Sequence, residues 1–437
     1  MKIKIIANHK YIDEIQTIAQ LFFPHARFCY GDEAADYTIV SNIDEKSLMD
    51  QPFYLTKKRL VMLNLFHELK ESIGAFTPWG ALTGVRPTKM VREWMAADYT
   101  HTQAKEILQN TFHVQEDRAQ LAVDVAHAEN QVAERIHGNG LYVSIPFCPS
   151  RCVYCSFNTA HKPWSIELQT RYVNALISEC RELPQENISS IYIGGGTPTA
   201  LADHLLEQLL EALPPINGEF TVEAGRPDTI TRSNLRLMKK YGVNRISINP
   251  QTLNNKTLKA IGRNHTSTDF IRVFKLARRQ GFTCINTDII AGLPGENEKD
   301  MVNTMEFLSA LSPENITIHT LAIKRASKLN EERMEQAHYH DKAIIAAQLK
   351  IAHESCVAQG LVPYYLYRQK NMAALFENTG YSLPGQECQY NVGMMAELQT
   401  IHGIGAGAVS KYVVGAKITR AFNPKDPEIY IERRNPQ

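Results

Sequence analysis

The chain has 437 residues, enough for a large core and for two or three structural units. Its 47 Lys and Arg balance 46 Asp and Glu, which argues against a surface built as a whole for nucleic acid or an anionic membrane. No window approaches the roughly 18 apolar residues of a spanning helix, and eight cysteines are too few for a disulfide scaffold, so the expectation is a cytoplasmic protein without membrane insertion.

In chain order, the apolar run Ile3–Ala7 is too short for a signal peptide and reads as a first strand. An amphipathic helix over Tyr11–Phe23 and strands near Arg27–Tyr30 and Tyr37–Ser41 follow. Periodicity then predicts helices over Lys57–Ile73, Thr88–Ala97, Thr102–Thr111 and Gln115–Ile136. Within this stretch, Trp79-Gly-Ala-Leu-Thr-Gly-Val-Arg-Pro-Thr-Lys89 sets Arg86 and Lys89 beside a helix start, and both features attract carboxylate or phosphate.

Gly138-Asn-Gly140 breaks the last of these helices, and a regular alternation begins. Strands are expected over Leu141–Ile145, Ile188–Ile193, Glu219–Glu223, Asn244–Ile248, Thr283–Ile290 and Asn315–Leu321, with helix-period segments between them. Six such βα units form an open, three-quarter version of the eight-fold barrel, an α/β partial (β/α)6 architecture with functional loops after the strand C-termini. A helical stretch over 330–359 precedes a tail, Val362–Gln437, rich in glycine and aromatics. The expected organisation is an N-terminal α+β domain (1–137), the barrel (138–325), and a C-terminal helical and mixed extension (326–437) covering the substrate side.

The first barrel strand runs directly into Pro146-Phe-Cys-Pro-Ser-Arg-Cys-Val-Tyr-Cys155. Three thiolates on one loop, Cys148, Cys152 and Cys155, suit a [4Fe–4S] cubane held by three of its four irons. Electron-transfer ferredoxins use four Cys, whereas three leave one iron open to a small molecule. The loop alone also leaves a zinc site open, with His161 as fourth ligand, although structural zinc commonly takes two C-x2-C pairs and no second pair exists here.

Other segments carry chemistry as well. Gly194-Gly-Gly-Thr-Pro-Thr199 ends the second strand, and its glycines let backbone approach a ligand closely. Glu223, Arg245 and Asp288 stand on the third, fourth and fifth strands, where buried charges need each other or a polar ligand. Pro363-Tyr-Tyr-Leu-Tyr-Arg-Gln-Lys370 interleaves aromatics with Arg368 and Lys370. Such a run could stack on a flat ring and pair its acidic substituents, form an edge strand, or suit single-stranded nucleic acid. Gly403-Ile-Gly-Ala-Gly-Ala408 has the form G-x-G-x-x-A without the βαβ context of a dinucleotide site, and reads as a glycine-rich turn near the substrate opening.

The C-x3-C-x2-C loop with Tyr154 before its last Cys resembles the signature of the radical S-adenosylmethionine (SAM) superfamily. With GGGTPT, TVEAGRPDT, TDIIAGLPGE, PYYLYRQKN, PGQEC, GIGAGAVSK and the N-terminal TGVRPTK, nearly the whole chain resembles the oxygen-independent coproporphyrinogen III oxidase group, closest to its HemZ-type branch. The resemblance implies a radical SAM oxidoreductase holding a [4Fe–4S] cluster on Cys148, Cys152 and Cys155 and SAM on its open iron. Gly194, Gly195, Gly196 and Thr197 would hold the SAM amino group, Glu223 and Asp288 its ribose or aminoacyl end, and Arg245 its carboxylate. Gln251 and the backbone near Ile290 and Gly292 would cover ribose and adenine. The implied partners are a porphyrinogen or heme and an electron donor such as flavodoxin or ferredoxin, with no nucleic acid expected. Arg86, Lys89, Arg368 and Lys370 are the candidates for propionate contacts. The sequence departs from the group at Phe157, where members with decarboxylase activity carry a further Cys. The related heme-chaperone branch also has Phe there, which raises heme binding and delivery as a rival function, with action on another tetrapyrrole as a third.

Overall fold

The computed structural model describes residues 1–7, 10–24, 26–30, 33–41, 51–75, 77–84, 86–155, 164–184, 187–322, 342–369, 375–415 and 417–434. Its contacts group the chain into two compact units, Met1–Ala126 and His127–Gln437.

In the first unit, β1 (Lys2–Ala7) lies between β2 (Arg27–Cys29) and β3 (Tyr37–Ser41), all parallel. Helix α1 (Ile12–Phe22) buries Ile15, Ile18, Ala19, Leu21 and Phe22, the i, i+3, i+4 stripe expected of an amphipathic segment. Helix α2 (Lys57–Ile73) starts at Thr56, whose side chain accepts the Arg59 N–H, and ends at Gly74 in a positive-φ conformation. Helices α3 (Pro87–Met95), α4 (His101–Glu106) and α5 (Glu116–Ala133) follow. Arg86 is the residue before Pro87 at the first position of α3, and Lys89 lies in its first turn.

The second unit is organised on one sheet. Strands β4 (Asn139–Ile145), β5 (Ile188–Gly195), β6 (Glu219–Gly225), β7 (Arg245–Ile248), β8 (Cys284–Ala291) and β9 (Asn315–Thr320) run parallel and adjacent in sequence order. The crossovers contain α6 (Ile166–Glu182), α7 (Asp203–Ala212), α8 (Arg232–Lys240), α9 (Asn255–Ala260), α10 (Ser267–Arg279) and α11 (Glu298–Leu311). Capping boxes at Thr231/Asn234, Thr266/Asp269 and Asn297/Asp300 fix where three of these helices begin. All six strands coincide with the expected βα units to within a few residues.

The tail is the part the sequence did not resolve into elements. Of the expected helix over 330–359, Lys342–Ala358 forms α12, and 330–341 lies outside the described residues. After it come β10 (Val362–Tyr367), β11 (Asn378–Ser382), α13 (Gln389–Met395), β12 (Ile401–Ile404), β13 (Val409–Val414), β14 (Lys417–Phe422) and α14 (Pro427–Arg434). Strands β11 and β10 extend the sheet antiparallel beyond β9, while β12 pairs parallel to β4 on the other side. The order among the described residues is β10-β11-β9-β8-β7-β6-β5-β4-β12-β13-β14.

Helix α14 is tied to α6 by one buried carboxylate. Glu179 accepts the Tyr430 hydroxyl, the Gly405 N–H, the Asn423 amide and the Arg434 guanidinium. The Gly403–Ala408 segment therefore has a structural task. Its Gly405 and Ala406 N–H groups are taken by Glu179 and Tyr172, and the Ser144 hydroxyl donates to the Ala406 carbonyl. No helix among the described residues is long and apolar enough to cross a membrane.

Candidate active site

The cysteine loop leaves β4 at Ile145 and is braced at both ends. Phe147, 1% exposed, packs its ring edge-on to Trp164 and Tyr172, each with centroids 5.1 Å away. Further along, the Val153 N–H donates to the Ile261 carbonyl and the Ser150 hydroxyl to the Gly262 carbonyl. The loop is thereby pinned to the turn after α9, more than 100 residues downstream.

The glycine-rich end of β5 lies against this loop. Gly196 and Thr197 donate their N–H groups to Ile145 and Phe147 at 2.6 and 2.7 Å. A Cβ on Gly196 would stand 2.6 Å from the Phe147 carbonyl oxygen, so only glycine permits the approach. The Thr197 hydroxyl is 3.3 Å from Cys148 Sγ. Burial pushes the Cys148 thiol up, with the Thr197 hydrogen bond pulling the other way.

Together these segments enclose a cavity of about 170 Å³. Its lining brings all three cysteines together with Tyr154, Gly195, Gly196, Thr197, Glu223 and Gln251, the greater part of the expected cofactor set. No three His, Cys, Asp or Glu among the described residues converge on the position of a single ion. His161 lies outside the described residues, as do Phe157 and Lys370.

Glu223 forms one wall. Its carboxylate accepts the Tyr192 hydroxyl at 2.5 Å and the Gly195 N–H. Gly194 makes room for it, since a Cβ there would meet Glu223 Oε2 at 2.8 Å. Burial, reinforced by Asp288, pushes the Glu223 carboxyl up to about 7. Gln251, in a left-handed conformation (φ 70°), is locked by backbone hydrogen bonds to Asp288 and Ile290. Its side-chain oxygen is buried and unpartnered. Asp288 itself accepts the Asn286 amide at 2.7 Å and faces His319 at 3.5 Å. The Gly292 N–H is taken by the Gln348 side chain.

Arg245 stands at the other end of its strand. It is the first residue of β7, whereas Asn249, just past the end of that strand, lines the cavity. At about 3.3 Å per residue the two ends are about 13 Å apart. Arg245 instead pairs with Glu219 at 3.5 Å and donates to the Gln386 carbonyl. The cations that line the cavity include Arg226 and Arg263, to which the sequence reading gave no role. Both follow signals that were present: Arg226 lies in the loop after β6, three residues beyond Glu223, and Arg263 in the loop after α9. Arg263 donates to the Tyr154 hydroxyl at 3.2 Å.

The expected substrate cations fall in both units of the chain. Arg86 and Lys89 belong to the unit Met1–Ala126. Arg368 is buried and donates to the Leu375 carbonyl, and burial draws its guanidinium down to about 10. A group that sequence reasoning missed is aromatic. Tyr142, Tyr192 and Tyr390 stack at centroid distances of 4.5–6.3 Å, and Tyr192 is the tyrosine bound to Glu223.

Comparison with known proteins agrees with this geometry. The Radical SAM superfamily model matches residues 142–308. The oxygen-independent coproporphyrinogen-III oxidase-like protein HemZ of Bacillus subtilis is 35% identical, over 99% of this chain and 95% of its own. The chain belongs to the radical SAM superfamily, in the group of HemZ. It is a radical SAM oxidoreductase with a [4Fe–4S] cluster and SAM as its cofactors. Heme chaperone HemW of the same organism is 30% identical, covering 67% of this chain and 74% of that protein. The Escherichia coli radical SAM coproporphyrinogen III oxidase HemN shares the fold, with a TM-score of 0.55 over 70% of this chain and 71% of its own at 20% identity.

Proposed function

We propose that this protein carries out the oxygen-independent oxidative decarboxylation of coproporphyrinogen III propionates to vinyl groups, forming protoporphyrinogen IX for heme biosynthesis. The observation that carries the reading is that one residue of the cofactor cavity is bonded to a group of stacked tyrosines. Glu223 lines the cavity of the three thiols and also accepts the hydroxyl of Tyr192, one of three stacked tyrosines. Stacked aromatic rings are suited to a flat macrocycle, and their bond to a residue of the cofactor cavity favours chemistry on that macrocycle.

Cys148, Cys152 and Cys155 would hold the cluster, while Gly195, Gly196, Thr197, Glu223 and Gln251 would surround SAM, with Arg263 in place of Arg245 as the cation for its carboxylate. When bound, these cofactors supply a carbon-centred radical that removes a hydrogen atom from the substrate, after which CO2 and one electron are lost. The chain's own work is to orient and to exclude water: the loop pinned by Ile261 and Gly262 closes one side, and the Glu223–Tyr192 hydrogen bond fixes the other. A low-potential donor such as flavodoxin or ferredoxin, in the cytoplasm, is the proposed source of electrons.

Two observations favour a second reading, heme binding and delivery: the likeness to Heme chaperone HemW, and Phe157. Anaerobic reconstitution followed by SAM and coproporphyrinogen III separates the two. Deoxyadenosine with mass loss from the porphyrinogen supports the decarboxylase. Deoxyadenosine without that loss, together with tight heme binding, supports the chaperone.

A further inference from the structure

Arg226 has three sets of contacts that fix its guanidinium from all sides. Its Nε and Nη2 each lie 3.0 Å from the two carboxylate oxygens of Asp228, a bidentate fork. Its Nη1 donates to the Ser150 hydroxyl at 2.9 Å and to the Ser150 carbonyl at 3.2 Å. The same Nη1 reaches Cys152 Sγ at 3.8 Å, within hydrogen-bond range for sulfur. Arg226 is 3% exposed and Cys152 8%, so bulk water does not screen the contact strongly. Asp228 stays ionised: burial pushes its carboxyl up, and Arg226 more than offsets this. Cys152 is also hydrogen-bonded to Tyr154, and Tyr154 to Arg263. The Cys148 thiol, by contrast, meets the uncharged Thr197 hydroxyl.

We propose that Arg226, aimed by Asp228, sets the reduction potential of the cluster through its hydrogen bond to Cys152. The proposal rests on the cluster assignment above and adds a residue that acts on the cluster's electron affinity. One-electron reduction by an external donor adds a negative charge to a cluster already carrying thiolates. Hydrogen bonds to the ligand sulfurs, net charge and solvent exposure set such potentials. A fixed cation at Cys152 stabilises the reduced form more than the oxidised one, and the Asp228 carboxylate partly cancels it. Arg226 is thus a tuning residue, with Asp228 its counterweight.

A purely structural brace would make a different forecast, because loss of either partner would loosen the loop in the same way. The test is an anaerobic redox titration of the reconstituted full chain, followed by the electron paramagnetic resonance of the reduced cluster, with iron content measured alongside. Arg226→Gln should lower the midpoint so that reduction is at least tenfold less favourable, which is about 59 mV for one electron. Asp228→Asn should move it in the opposite direction, and Arg226→Lys should fall between wild type and Arg226→Gln. Reduction disfavoured by less than tenfold in Arg226→Gln, or midpoint shifts of the same sign in Arg226→Gln and Asp228→Asn, overturn the proposal while leaving the cluster in place. If Arg226→Gln assembles no cluster, Asp228→Asn decides alone: an upward shift supports the tuning role and no shift overturns it. A wild-type chain that takes up no iron–sulfur cluster sinks the cofactor reading itself, and this inference with it.

Discussion

At the start of β6, Glu219 is a carboxylate with its partners in place: the Arg245 guanidinium, the Cys388 thiol and the N–H groups of Gln389 and Tyr390. Four residues later on the same strand, Glu223 has a hydroxyl and one backbone N–H, and its carboxyl is pushed up to about 7. Both residues are on β6 of one sheet. The difference lies in which end of the strand each occupies. At the N-terminal ends, Glu219 is paired within the protein and joins the tail to the sheet. At the C-terminal ends, Glu223, Gln251 and Arg263 face a cavity, and Gln251 keeps a buried oxygen without a partner. Incomplete pairing at depth is costly unless a ligand completes it.

The contrast can be broken most severely at the cysteines. Alanine at Cys148, Cys152 or Cys155 should each abolish the broad iron–sulfur absorbance and SAM cleavage, and a variant keeping both would remove the cluster from this cavity. Next in size is Arg245→Met at the scaffold end. Removing one partner of a buried pair should cost about 3–5 kcal/mol of stability, measured by denaturant unfolding, with SAM affinity unchanged in the folded fraction. Weakened SAM binding at full stability would place Arg245 back in the site.

Glu223 gives a pH-dependent test of comparable size. Its carboxyl ordinarily titrates near 4.5 and is raised to about 7 in the fold. The folded chain therefore holds a proton that the unfolded chain releases, so this group favours folding below about pH 4.5 and that contribution is lost as pH rises through about 7. In the cofactor-free protein, Glu223→Gln should flatten the fall in stability between pH 5 and 8 by about 3 kcal/mol. An unchanged slope would mean that Glu223 titrates as an ordinary carboxylate. The smallest expected effect sharpens the comparison: Arg263→Gln should weaken SAM binding about tenfold, roughly 1.4 kcal/mol, in equilibrium binding to the reconstituted protein. A lost cluster with unchanged affinity per cluster would assign Arg263 to holding Tyr154 instead.

Much of this was legible from residues in order. Three cysteines spaced within eight residues are brought near one another by chain length alone, and the glycines at 194–196 announce a close backbone approach wherever the strand ends. Alternating strand and helix patterns gave the six parallel strands because each pattern is local and each crossover short. Arg245 and Arg263 are placed by pairing rather than by local pattern: only the register shows that β7 begins at the first, and only the turn after α9 delivers the second to the cavity. The tail's β12 pairs with β4 across some 260 residues, and its four residues carry no periodicity long enough to assign. The tyrosine stack likewise joins β4, β5 and α13. Local chain chemistry determined which groups could hold the cofactor. Which of them face one another was decided only by the pairing of distant segments, since burial and charge compensation depend on neighbours that the linear order does not contain.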